Sequence, residues 1–185
     1  MNKLVNTDST INLEYVKIDK DNFEIGYNIQ KQIWEDEPDY ENFKNKANSN
    51  DADNMSWLVF YNNIPIGITG VFTEDFDEET IWLDWYGILP EYRNQGLGKK
   101  ILLDTIEYCK KLDKYEYLRL DTTYWDGRPA ISLYDSVMTF KEKYDAEDTE
   151  ISHNWWIYTY SLKGKKEYWN NRIIGLGEYY NNLKD

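Results

Sequence analysis

Cysteine and histidine are scarce in this chain, which has one cysteine, Cys109, and one histidine, His153, in 185 residues. A single cysteine can form neither an internal disulfide nor a cysteine metal cluster, and Cys109 falls on the apolar side of a predicted helix, which favours a buried thiol. His153 cannot be combined convincingly with a serine or a cysteine into a catalytic triad. We therefore predict no metal site and no triad chemistry.

Long apolar runs and positive charge are also missing. No segment approaches the roughly 18 apolar residues that a membrane span needs, and the first residues lack the apolar centre of a signal peptide. The 34 acidic residues outnumber the 21 basic ones, for a net charge of −13. Because nucleic acids are bound mainly through Lys and Arg, we expect a soluble, cytoplasmic protein without a nucleic-acid or membrane partner. The negative field suits a cationic substrate, or serves solubility alone.

The chain shows no internal repeat, no Pro- or Ser-rich linker and no low-complexity tract, so residues 1–185 are expected to form a single domain. Residues 164–185 are predicted to be a C-terminal helical extension. This segment is aromatic enough to pack on a partner subunit in a homodimer, but it could equally cover its own sheet.

Hydrophobic periodicity predicts a mixed α and β chain. Strands are predicted at residues 11–18, 55–61, 66–73, 80–89, 117–124, 140–144 and 155–162. Helices are predicted at residues 22–34, 39–47, 96–112, 126–138 and 166–183. In the helix at 96–112, apolar residues recur on one side and the charged residues, Lys100 and Asp104 among them, are expected on the other. Since strands and helices do not strictly alternate, the fold class is α/β with a mixed sheet.

A glycine-bearing turn precedes that helix. Backbone N–H groups at a helix N-terminus bind phosphates, and two glycines allow a pyrophosphate to approach the main chain closely. Positive charge from Arg93, Lys99 and Lys100 favours an anion there. The predicted pyrophosphate-binding residues are Arg93, Asn94, Gln95, Gly96, Leu97, Gly98 and Lys99.

Two familiar phosphate loops do not fit this turn. A Walker A loop requires Gly-Lys-Ser/Thr, but Lys100 follows Gly98 and Lys99, and Arg93 occupies the first glycine position. A dinucleotide fingerprint requires a third glycine where this chain has Ile101.

The segment Gly87–Gly98, with Pro90 and Tyr92 before the turn, resembles the acetyl-CoA signature Arg/Gln-x-x-Gly-x-Gly/Ala of the GNAT superfamily of N-acetyltransferases. Ala130-Ile131-Ser132-Leu133-Tyr134 resembles the Ala-x-x-Leu-Tyr helix of the same family, and Phe140 stands for its Gly-Phe. The resemblance spans residues 58–162. It departs at Gly127, where many members have Asn, and at Thr139, where Gly is usual.

The resemblance implies a GNAT-like, mostly antiparallel sheet, flanked by helices and splayed at its centre between the strands at 80–89 and 117–124. Acetyl-CoA would fill the gap as the acetyl donor, with pantetheine pairing to the main chain near Ile88 and Leu89. An N–H at one of these residues would stabilise the oxyanion that forms when an amine attacks the thioester directly.

Two residues are candidates for acid–base catalysis. Tyr134, which matches the family tyrosine, is the candidate acid for the departing thiolate, although it could also be a packed helix tyrosine. On the strand at 80–89, two-residue periodicity places Trp82, Asp84, Tyr86 and Ile88 on one face. Asp84 is therefore a candidate base acting through water, or else a buried hydrogen-bond acceptor.

Aromatic residues are candidates for the acceptor pocket, because aromatic faces attract cationic amines. Trp34, Trp82, Trp85 and Tyr86 could line the acceptor pocket, with core packing as the alternative, and we predict that Trp34, Trp82 and Tyr86 bind the acceptor. The acidic runs at 35–37 and 74–79 could attract the amine or could simply be solvated surface. The predicted reaction is acetylation of a primary amine on a small cationic molecule, such as a polyamine, an aminoglycoside or an amino acid derivative. The alternatives are acetylation of a protein N-terminus or lysine, and a non-catalytic acyl-CoA-binding regulatory module.

Overall fold

A computed structural model describes residues 11–35, 40–75, 77–123, 130–144 and 155–169, which form seven strands and four α-helices. The bounds differ from the predicted ones by a few residues. In chain order the elements are β1 (Leu13–Lys17), α1 (Phe23–Ile33), α2 (Tyr40–Ala47), β2 (Met55–Tyr61), β3 (Ile64–Phe72), β4 (Thr80–Ile88), a 3₁₀ turn (Pro90–Tyr92), α3 (Leu97–Leu112), β5 (Tyr117–Thr123), α4 (Ala130–Val137), β6 (Phe140–Tyr144) and β7 (Trp155–Ser161). His153 and Gly127 lie outside the described residues. None of the described helices is both long and apolar enough to span a membrane.

The strands form one sheet in the order β1-β2-β3-β4-β5-β7-β6. Only β4 and β5 are parallel neighbours, and they pair over three residues, from Thr80↔Tyr117 to Trp82↔Arg119. Beyond Trp82, β4 continues to Ile88 without pairing to β5. The mostly antiparallel sheet, splayed at its centre, is therefore confirmed.

Helices cover both faces of this sheet. On the α3 face, the apolar side of α3 packs on strand residues such as Val59, Ile66 and Ile81, with Tyr134 of α4 in the same cluster. On the α1 face, Ile29 and Phe43 pack on strands β2 and β3. Cys109 is 1% exposed in the α3-face core, as expected of a packed thiol.

A β-bulge interrupts strand β4. Ile68 pairs with Gly87 but Gly70 pairs with Asp84, so β4 has one extra residue, and Trp85 has a positive φ of 34°. An extra residue reverses which face the following side chains occupy. Tyr86 and Ile88 belong to the α3-face core, whereas Asp84 binds Lys46 of α2 on the opposite face. The prediction that Asp84 shares a face with Tyr86 and Ile88 is wrong.

Helix α3 buries two charged residues that were expected on its polar side. Lys100 is 3% exposed and Asp104 is fully buried. The Lys100 ammonium lies 2.6 Å from both Asp104 carboxylate oxygens, and the Tyr15 hydroxyl of β1 donates to the same carboxylate at 2.7 Å. Burial is possible because each charged group has partners. The prediction of an exposed Lys100 beside the phosphate turn is corrected accordingly.

The segment after β7 packs on its own sheet as far as it is described. Residues 165–169 are not helical, so the predicted helix does not begin at residue 166. Trp169 is fully buried, and its ring meets that of Trp82 edge to face at 6.3 Å. The Arg119 guanidinium of β5, also buried, donates to the backbone carbonyl of Glu167. Residues 170–185 of the predicted extension lie outside the described part of the chain.

Candidate active site

The splay between β4 and β5 opens a cavity of about 580 Å³. Its walls come from the glycine turn before α3, the splayed part of β4, the end of α1 and the first turns of α4. The lining residues are Ile33, Trp34, Tyr86, Gly87, Ile88, Arg93, Asn94, Gly96, Gly98, Lys99, Thr122, Ala130, Ser132, Leu133, Tyr134 and Ser136. The cavity thus joins the predicted phosphate turn to the predicted acid.

The turn itself is shaped by two residues with positive φ, Asn94 at 61° and Gly96 at 78°. Gly96 directly precedes α3, and no described side chain caps this helix. The first backbone N–H groups of an uncapped helix lack intrahelical acceptors, and they carry the positive end of the helix dipole. Gly96, Gly98 and Lys99 line the cavity at this point. The residues present therefore fit the pyrophosphate of acetyl-CoA.

Other residues of the turn contribute in different ways. The Arg93 Nε donates to the Ile88 carbonyl at 3.2 Å, so this side chain folds back on the end of β4. Gln95 is exposed and donates to the Glu91 carbonyl. Leu97 is 2% exposed and packs in the α3-face core. Neither Gln95 nor Leu97 is among the residues that line the cavity.

The end of β4 distinguishes the two predicted oxyanion donors. The Leu89 N–H donates to the Ile66 carbonyl of β3 at 2.8 Å, and the Leu89 side chain is buried in the α1-face core. The prediction of Leu89 as a donor to the ligand is therefore corrected. Because hydrogen-bonding directions alternate along a strand, the Ile88 N–H points away from β3, toward the gap. Ile88 lines the cavity and remains the candidate.

Tyr134 projects from α4 into the α3-face side of the cavity. Its side chain is 7% exposed and its ring lies between those of Tyr86, at 6.0 Å, and Tyr158, at 5.4 Å. Burial, with a smaller effect from Tyr134, raises the pKa of Tyr86 well above its usual value. The Tyr86 hydroxyl therefore stays protonated, and it donates to the Gly98 carbonyl at 2.7 Å.

Asp84 lies away from this cavity. It forms an ion pair with Lys46 of α2, with both side chains 12% exposed, and it is not among the lining residues. The Lys46 ammonium also lies 4.9 Å from the centre of the Phe72 ring. The ion pair and the bulge together place the Asp84 carboxylate on the face opposite Tyr134.

The predicted acceptor residues divide into two groups. Trp34 and Tyr86 line the cavity, but Trp82 is fully buried and packs against Phe72 and Trp169. Trp82 is thus a core residue, as the alternative prediction held, because it precedes the splay where β4 still pairs with β5. Of the acidic run at 35–37, only residue 35 is described.

Glycine at position 87 lets Trp34 lie directly on β4. A Cβ atom there would fall 2.5 Å from the Trp34 ring and 2.9 Å from the Ile33 side chain. Trp34 also meets Trp85 edge to face at 5.3 Å. The end of α1 therefore packs on β4 at Gly87, next to Ile88, and forms one wall of the cavity.

Several residues that line the cavity were not predicted from the sequence. Ser132 and Ser136 are four residues apart on α4 and both line the cavity. That i, i+4 spacing places them on one side of a helix, a signal that could have identified them. No comparable pattern marks Ile33 or Thr122.

Comparison with known proteins identifies the family. The sequence model of the acetyltransferase (GNAT) family matches residues 17–140, more than half of the chain. The chain belongs to the GNAT family of acetyltransferases. The GNAT signature in Gly87–Gly98 falls within the matched region, and the enzyme uses acetyl-CoA as its acetyl donor. Comparison with curated protein sequences finds no significant match.

Solved structures show the same GNAT fold at low sequence identity. Arabidopsis thaliana NAA60 in complex with acetyl-CoA is 16% identical, with a TM-score of 0.63 over 81% of this chain and 99% of that one. The ribosomal-protein-S18-alanine N-acetyltransferase of Escherichia coli is 17% identical, with a TM-score of 0.61 over 84% and 97% of the two chains. A chimera of spermidine N-acetyltransferase SpeG from Vibrio cholerae and hSSAT is 14% identical, with a TM-score of 0.64 over 81% and 95%.

Proposed function

We propose that this GNAT acetyltransferase transfers the acetyl group of acetyl-CoA to a primary amine of a small cationic molecule, by direct attack on the thioester. The observation that carries the proposal is the continuous cavity that joins the uncapped N-terminus of α3 to Ile88, Tyr134 and Trp34. The start of α3 suits a pyrophosphate, while Ile88, Tyr134 and Trp34 present a strand N–H, a phenol and an indole to the reacting groups.

Each residue at the reactive end has a proposed task. The Ile88 N–H is positioned to stabilise negative charge on the acyl oxygen, which is the usual work of a backbone oxyanion donor. Two phenols line the cavity, those of Tyr86 and Tyr134. Tyr134, which matches the tyrosine of the family's Ala-x-x-Leu-Tyr helix, is the proposed proton donor to the thiolate that leaves.

The cationic acceptor is supported by charge and by aromatic surface. The net charge of −13 raises the local concentration of cations around the protein. Within the cavity, the rings of Trp34 and Tyr86 can attract an ammonium group by roughly 0.5 to 2 kcal/mol before it loses its proton. Polyamines, aminoglycosides and amino acid derivatives share this chemistry.

The test is thiol release from acetyl-CoA with a panel of acceptors. Polyamines, aminoglycosides and amino acid amides represent the proposed class of acceptor. Peptides with free N-termini represent the competing class, since the similar E. coli enzyme is named as an N-acetyltransferase of a ribosomal-protein alanine. We expect turnover with the small cationic amines, and a KM for them that rises with ionic strength because salt screens the field. Turnover confined to peptides would overturn the proposed acceptor class.

A further inference from the structure

Strand β4 and helix α3 are joined beside the cavity by one side-chain hydrogen bond. The Tyr86 hydroxyl donates to the Gly98 carbonyl at 2.7 Å. Gly98 belongs to the first turn of α3, whose N–H groups face the pyrophosphate end. Ile88, at the thioester end, is two residues from Tyr86 on the same face of β4. This bond therefore links the phosphate-binding turn to the stretch of β4 that carries the Ile88 N–H.

The contact between Tyr86 and Gly98 is too close to accommodate a side chain at position 98 without a shift. A Cβ atom at position 98 would lie 3.2 Å from the Tyr86 hydroxyl oxygen, tighter than ordinary van der Waals contact. Glycine at 98 thus makes room for the phenol as well as for a phosphate. Burial raises the pKa of the Tyr86 phenol, so it remains a neutral donor at physiological pH.

A second contact holds the same helix from strand β1. The Tyr15 hydroxyl donates to Asp104, which also accepts from the Lys100 ammonium at 2.6 Å. Lys100 is itself in the first turn of α3, and its N–H donates to the Gly96 carbonyl. The first two turns of α3 are therefore fixed to β1 through Asp104 and to β4 through Gly98.

We infer that Tyr86 is a positioning residue for acetyl-CoA, which sets the distance between the phosphate-binding turn and the Ile88 N–H. The acceptor role predicted for Tyr86 does not require its hydroxyl to bond to Gly98, whereas the positioning role does. A ligand that spans both ends gains affinity when the two ends are held at the right separation, because less ordering remains to be done on binding. The inference rests on the proposed placement of acetyl-CoA in the cavity.

Tyr86→Phe removes only the hydroxyl, and Tyr108→Phe is its matched control. Tyr108, on helix α3, donates to the Ala52 carbonyl at 2.8 Å and does not line the cavity. Both variants lose one tyrosine-to-carbonyl bond, so similar decreases in melting temperature are expected. In calorimetry with CoA, Tyr86→Phe should bind about fivefold more weakly, the value of one hydrogen bond, and Tyr108→Phe should match the wild type. The KM for acetyl-CoA should rise more than kcat falls.

Equal CoA affinities for Tyr86→Phe and Tyr108→Phe would overturn the inference, as would a fall in kcat without a change in KM. Calorimetry with CoA needs no acceptor, so its outcome is independent of the acceptor panel. If no amine is acetylated while Tyr86→Phe weakens CoA binding selectively, the proposed acceptor class fails and the positioning role stands.

Discussion

Tyr134 is the residue whose proposed chemistry can be separated most cleanly from binding. It is 7% exposed, packs between two other tyrosines and lines the cavity. A proton donor to the leaving thiolate acts only as the bond breaks, so removal of its hydroxyl should affect turnover and leave ground-state binding intact.

We predict that Tyr134→Phe lowers kcat by about a hundredfold or more, within the range usual for general acids. CoA affinity measured by calorimetry should stay within about twofold of the wild type, because binding the ground state does not use the proton. Initial rates with a productive acceptor provide the first measurement, with Tyr108→Phe as the control. A Tyr134→Phe enzyme with wild-type kcat would show that the tyrosine is only a packing residue.

At the scale of elements, the turn and α3 could be predicted because their signals are local. Pro90, Gly96 and Gly98 mark a strand end and a helix start within a dozen residues, and the apolar stripe of α3 follows at once. The existence of strand β4 was predictable, but the face of the sheet that each of its side chains occupies was not. Period-two reasoning holds to Asp84 and fails at Trp85, whose positive φ is uncommon for a bulky residue and has no marker in the sequence.

The buried pair in α3 was missed for a related reason. Helical periodicity assigns Lys100 and Asp104 to a polar side, but it cannot show that β1 supplies Tyr15 as a third partner. Three groups from two elements satisfy one another, and only the tertiary structure brings them together. Such a network leaves its members strongly dependent on each other.

This dependence gives a stability prediction for α3. Lys100→Met leaves the Asp104 carboxylate buried without its cation, which should lower the free energy of unfolding by roughly 3 to 5 kcal/mol in urea titration. The double variant Lys100→Met/Asp104→Leu should recover part of this loss, since it buries no charge. Lys110→Met is the control: its pair with Glu107 is about one-third exposed, and such a pair is worth less than about 1 kcal/mol. A Lys100→Met cost no greater than that of Lys110→Met would contradict the prediction.

At the scale of the whole molecule, the donor half of the site follows from one stretch of chain and the acceptor half does not. The phosphate turn and Ile88 lie within Gly87–Lys99, so one local sequence signature predicts both. Trp34 comes from α1 and Tyr134 from α4, a hundred residues later, and only the splayed sheet brings them to one cavity. The acceptor pocket therefore forms only in the folded protein, so the sequence alone could not identify the class of acceptor.

The two tyrosines that hold α3 also make the stability of the fold depend on alkaline pH. Burial, followed by the hydrogen bond to Asp104 and its charge, raises the pKa of Tyr15 far above its usual value, and burial raises the pKa of Tyr86. A tyrosine of the unfolded chain loses its proton near pH 10, whereas these two keep theirs in the folded protein. Their contribution is therefore fully present below about pH 10 and is lost progressively above it.

We predict that the free energy of unfolding, measured by urea titration from about pH 8 to about pH 11, falls by up to about 1.4 kcal/mol per pH unit for each of these tyrosines. Tyr15→Phe and Tyr86→Phe should each start from a lower stability and decline less steeply, because phenylalanine has no proton to lose. The double variant should show the weakest dependence of stability on pH, because each tyrosine contributes one proton that the folded protein keeps and the unfolded chain releases. If all three variants declined in parallel with the wild type, other groups would account for the alkaline loss, and the buried phenols would have no part in it.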